Sequence, residues 1–134
     1  MSGKLPDLAN PYKTRAFDYV GTTIGAEATN VITVACQLQT SDRRDIAERA
    51  MIEWFISDDA AGDSLVATAP DGGVAAGADG WLSQLVTGKL GVAVCEADGD
   101  LDIAITHAAG AKTVYLGFRM PDGTIRMSAA ITFA

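Results

Sequence analysis

The chain has 134 residues, 49% of them hydrophobic, which suits one compact core and leaves too little sequence for two. Its formal net charge is −7, with +2 in residues 1–15 (Lys4, Lys13 and Arg15 against Asp7) and therefore −9 in the remainder. Such an acidic body repels phosphate backbones, which sets nucleic acid aside as a partner, and no stretch approaches the ~18 apolar residues of a membrane span.

Residues 1–15 (MSGKLPDLANPYKTR) follow neither a helical nor a strand period and contain Pro6 and Pro11, so they predict an extended arm, with the folded domain over residues 16–134. They also lack the apolar stretch of a secretory signal, so a soluble protein made in the cytoplasm is expected. Ile32, Val34, Cys36 and Leu38 alternate with polar neighbours and predict a strand. Over residues 46–56 two periods compete. Ile46, Ala47, Ala50, Met51, Trp54 and Phe55 would share a helix face after a Ser41 or Asp42 cap, whereas Ala50, Ile52, Trp54 and Ile56 would share a strand face. The β-branched and aromatic second half, running into Asp58-Asp59-Ala-Ala-Gly62, favours the strand.

Trp81 to Val86 predicts a short strand, Val92 and Val94 a weaker one, and Leu101, Ile103 and Ile105 a clear one. Val114, Leu116 and Phe118 form one side of a hairpin turned by Met120-Pro-Asp-Gly-Thr124, and Ile125, Met127, Ala129, Ile131 and Phe133 alternate along its return strand. Further turns fall at Ala61-Gly62-Asp63, Pro70-Asp71-Gly72-Gly73, Asp79-Gly80 and Asp98-Gly99. Short alternating strands joined by such turns predict an all-β, antiparallel β-sandwich, jelly-roll or immunoglobulin-like, with an extended N-terminal arm.

The inventory for chemistry is thin, and an enzyme is not expected. His107 is the single histidine and reads as a turn or surface residue at a strand end. Glu96, Asp98, Asp100 and Asp102 crowd seven positions, but without the residue order of a calcium loop they read as a solvated Asp-Gly hairpin. Asp58, Asp59 and Asp63 read as turn residues capping backbone amides. No metal or cofactor is predicted, and the glycines around Gly72 to Gly80 lack the lysine of a phosphate loop. Cys36, Trp54 and Cys95 invite comparison with an immunoglobulin core. Free buried thiols are favoured over a bridge, because Cys95 falls on the face opposite Val92 and Val94 and Ala93 stands where that core has a tyrosine.

Asn30 to Gln39, Ile56 to Gly62, Val86 to Lys89, Glu96 to Asp100 and Met120 to Ser128 together resemble a β-rich structural module of tailed bacteriophages. The likeness spans about residues 20–134 in strand-and-turn patterns without catalytic content. It implies a virion component of the capsid cement or decoration type, which sits on the exterior of the shell, binds the major capsid protein and reinforces it. A homo-oligomer, dimer or trimer, is expected with it. In that setting Leu5, Leu8, Tyr12 and Phe17 are the apolar anchors of a capsid-binding arm, and Lys13 and Arg15 its charges. The alternative is a receptor- or carbohydrate-binding adhesin of a tail or fibre, with Trp81 as the contact residue. Against that, Trp81 followed by Leu82 and Leu85 reads as core beneath the glycine-rich loop.

Overall fold

The computed structural model describes residues 17–134, which form ten strands and, among the described residues, no helix. They are β1 (Tyr19–Ile24), β2 (Val31–Gln39), β3 (Met51–Ser57), β4 (Gly73–Ala76) and β5 (Trp81–Val86). The remainder are β6 (Leu90–Val94), β7 (Asp100–Thr106), β8 (Lys112–Arg119), β9 (Ile125–Met127) and β10 (Ile131–Phe133). All pair antiparallel in two packed sheets, one ordered β1-β2-β7-β4 and the other β10-β8-β3-β6-β5, with β9 also on β8. Of the two expected topologies this is the immunoglobulin-like one. The first sheet has the A-B-E-D order and β9/β10, β8 and β3 the G-F-C order, while a β5–β6 hairpin extends the second sheet past β3.

Alternation explains the core. Ile32, Val34, Cys36 and Leu38 of β2 and Leu101, Ile103 and Ile105 of β7 face Ile52, Trp54 and Ile56 of β3 and Val114, Leu116 and Phe118 of β8. Each large side chain so buried contributes about 1.5–3 kcal/mol. The contest over residues 46–56 is settled for the strand from Met51 onward, because only that period puts Ile52, Trp54 and Ile56 together against the opposite sheet.

Trp54 shapes the sheet around it. Its indole N–H donates to the Ser83 carbonyl at 3.3 Å, reaching past Gly91, the residue that pairs with Trp54 on β6. A Cβ at Gly91 would stand 1.9 Å from that carbonyl oxygen, so only glycine fits, and the β5–β6 register shifts between Gln84 and Val86 beside this contact. The indole also reverses the expected faces of β6. Val92 and Val94 point outward, while Gly91, Ala93 and Cys95, all small, lie inward where the indole takes the space.

The return strand after the hairpin is also corrected. It breaks into β9 and β10, and the register on β8 advances by one residue between Met127↔Gly117 and Ile131↔Val114. A one-residue slip exchanges faces, so Ile131 and Phe133 enter the core while Met127 lies outside with Phe55. Ser128 holds the break. Its N–H donates to Leu116 O (2.8 Å), its hydroxyl accepts from Leu116 N–H (3.0 Å) and it donates to Ala129 O (2.8 Å). Outside the sheet, Phe55 packs flat on β8, where a Cβ at Gly117 would meet its ring at 2.3 Å, and the 58–64 loop closes over it.

Phe17, the first described residue, is 6% exposed and part of the core. Next to it Tyr19 lies between two guanidinium groups, Arg43 at 3.6 Å and Arg126 at 5.5 Å from the ring centre, and Arg126 Nε donates to Asp18 O at 2.9 Å. These contacts tie the start of β1 to β9 at one margin of the sandwich.

Candidate interaction surface

The second sheet turns an apolar face outward. Cross-strand pairing lines up Met51, Val94 and Trp81 in one row and Glu53, Val92 and Ser83 in the next. Met51 is 66% exposed, Trp81 52% and Leu85 68%, with Leu65 and Val86 also open. Trp81 is thus not the core residue expected from Leu82 and Leu85. Only Leu82 turns toward the core, and the Arg49 guanidinium sits 4.8 Å over the indole of Trp81. Exposed apolar side chains gathered in this way, rather than scattered singly, are the kind of surface a partner can cover.

Beside these rows lies an open cleft of about 350 Å³ between Phe55, Leu65, Leu90, Asp63, Glu53 and Arg119. The ion pair of Arg119 Nε with Glu53 (3.0 Å) forms one wall. The other is the 58–64 loop, whose shape comes from polar caps. Buried Ser57 donates to Ser64 O (2.7 Å), and Asp59 accepts from Gly62 N–H (2.7 Å) and Asp63 N–H (3.1 Å). The Asp63 amide above all holds the Asp59 carboxyl below its ordinary range. Asp58 accepts from Ala67 N–H at 2.9 Å, so Asp58 and Asp59 are the amide caps expected.

The acidic run at 96–102 divides. Asp98 caps its turn, accepting from Asp100 N–H at 3.2 Å, and Glu96 reaches the amide of Gly80 at 3.3 Å. Asp100 and Asp102 share a face of β7 and are joined by Asp79, their carboxylate oxygens lying within 4.8 Å of one another. Burial first, then the hydrogen bond and charge of Asp79, then the charges of Asp102 and Asp98 push the Asp100 carboxyl up to about 6. Asp102 is raised by burial and by Asp79. These are the residues whose oxygens could surround a hard divalent cation. Asp79 was invisible as a member in the sequence, where only its Asp-Gly turn stands out.

His107 is more enclosed than a surface histidine. Its side chain is 11% exposed, its Nδ1 accepts from Asp71 N–H at 3.1 Å, and its ring meets Phe133 edge-on at 5.7 Å. It braces the Pro70–Gly73 turn against the end of β7. Cys36 and Cys95 are free and buried, and burial pushes both thiols up. Cys95 Sγ accepts from Ala50 N–H at 3.2 Å and Cys36 sits on β2, in the B position; Leu116 and Phe118 occupy the F strand, where an immunoglobulin disulfide would need its second cysteine.

Of the arm residues, Leu5, Leu8, Tyr12, Lys13 and Arg15 lie outside the described residues. Phe17 is committed to the domain's own core and does not serve as a free anchor. No protein-family model matches the chain, and no curated protein matches it.

Proposed function

We propose that the chain is a non-catalytic docking module of a large assembly, in particular a decoration protein that binds the major capsid protein on the exterior of a phage shell and stabilises it. The observation that carries the reading is the outward apolar face of β3, β6 and β5, where Met51, Trp81 and Leu65 stand exposed on a domain whose charge is otherwise strongly acidic. The assignment to a phage shell follows the sequence resemblance. Residues 1–15, which carry Leu5, Leu8, Tyr12, Lys13 and Arg15, supply a second, basic contact to the same shell.

The test is co-sedimentation of the purified protein with shells that lack it, followed by heating of bare and decorated shells. Saturable binding with a higher rupture temperature is the expected result, weakened by Met51→Asp and by removal of residues 1–15. Absence of binding overturns the shell reading. One observation favours a second reading, an adhesin of a tail or fibre: Trp81 is exposed, and a flat indole is a platform for a sugar ring. Glycan binding that disappears in a folded Trp81→Ala variant would select it.

A further inference from the structure

We propose that β5 is a self-association edge, pairing antiparallel with β5 of a second copy about a two-fold axis to join two six-stranded sheets into one. This rests on the reading of the chain as an assembly module and names the surface that its oligomer uses. β5 is the last strand of its sheet, and every residue of it but Leu82 is exposed. Natural edge strands are blunted by charged side chains, proline or bulges, and Trp81-Leu-Ser-Gln-Leu-Val86 has no charge and no proline, with its bulge confined to the C-terminal end. Its one irregularity, the register shift between Gln84 and Val86, leaves Leu85 without a partner on β6 and exposed.

Charge identifies the occupant as a second copy. A chain of net charge −7 repels itself over most of its surface, whereas β5 carries no charged side chain of its own and has the Arg49 guanidinium over Trp81 at its start. The flanks are complementary under the two-fold. Antiparallel pairing brings the start of one β5, where Asp79 stands with Asp100 and Asp102, toward the end of the other, where Lys89 is the last residue of the β5–β6 turn, its ammonium donating to Ala67 O at 3.0 Å. The opposite edge differs, since β9 and β10 are three-residue strands separated by the break at Ser128. Gln84 meanwhile ties β5 to β4 of the facing sheet, its side-chain amide donating to Val74 O at 3.0 Å, so the edge is held in strand form before any partner arrives.

The experiment is light scattering of the full chain, free of any shell, with Leu85→Lys as the disrupting variant and circular dichroism to verify its fold. The wild type is expected at twice the chain mass and the folded variant at once the chain mass. Independently, Ser83→Cys near the middle of β5 is expected to give a disulfide-linked pair under mild oxidation, whereas Thr132→Cys on β10 is not; the native thiols are buried and silent. A monomeric or trimeric wild type, or cross-linking through Thr132→Cys in place of Ser83→Cys, overturns the proposal. Shell binding is measured separately, so a monomer that still decorates shells refutes only this edge, and a dimer that ignores shells refutes only the shell.

Discussion

Replacing Ser128 by alanine removes a single oxygen and tests how the second sheet closes on itself. Leu116 is fully buried, and its N–H is satisfied by the Ser128 hydroxyl at 3.0 Å, because the register slip between β9 and β10 shifts the ladder there. In Ser128→Ala the donor stays buried without an acceptor, which costs about 1–3 kcal/mol. With an unfolding entropy of about 2.1 cal/mol/K per residue, the roughly 120 described residues give about 0.25 kcal/mol/K, so a loss of 2 kcal/mol lowers Tm by about 8 °C. Urea unfolding followed by fluorescence gives the free energy, and hydrogen exchange at the Leu116 amide reports the site. The control is Thr132→Ala, which deletes an exposed hydroxyl contact with Thr113 and should change stability by less than about 0.5 kcal/mol. If Ser128→Ala matches that control, with Leu116 still protected, the hydroxyl is not the acceptor that closes the ladder.

Gly91→Ala places a methyl 1.9 Å from the Ser83 carbonyl, so β5 must move off Trp54; a loss above about 2 kcal/mol with a shifted tryptophan emission is expected, and a neutral result would refute the close approach. Asp100→Asn probes the acidic trio. A carboxyl raised to about 6 contributes stability below the ordinary carboxylate range that is lost as pH rises through 6, so at pH 7 the ionised group is a cost. The variant should therefore be more stable than wild type at pH 7 by on the order of 1 kcal/mol or less, given its access to solvent, and indistinguishable at pH 4. Paired urea titrations check this, and a gain that persists at pH 4 would mean charge is not the cause. Removal of residues 1–16 should alter domain stability by less than about 0.5 kcal/mol, whereas Phe17→Ala should cost about 3 kcal/mol, both read from thermal melts.

The strands legible in the sequence were those that bury branched or aromatic side chains at every second position, namely β2, β3, β7 and β8, together with the Pro121-Asp122-Gly123 turn. β6 was found with its faces reversed, because valines are read as inward by default and the small residues at Gly91 and Ala93 make sense only once Trp54 lies over them. The break at Ser128 left no trace in the sequence: the apolar alternation from Ile125 to Phe133 is unbroken, and the slip is fixed by hydrogen bonds to a strand elsewhere in the chain. The exposed row through Met51, Val94 and Trp81 depends on register between three strands, which alternation within one strand does not encode. The same holds for Asp79 beside Asp100 and Asp102.

The clamp of Arg43 and Arg126 on Tyr19 holds the start of β1 at the margin of the sandwich farthest from β5. With strands ~4.8 Å apart, two copies joined through β5 would hold these two Tyr19 margins roughly 45 Å from each other. Two weak grips at that separation act as one strong one only on a target that repeats at a matching interval, since the second contact then forms at high effective concentration. A dimer of this shape would thus be a gauge as well as a clasp, holding a periodic lattice and letting go of an isolated subunit.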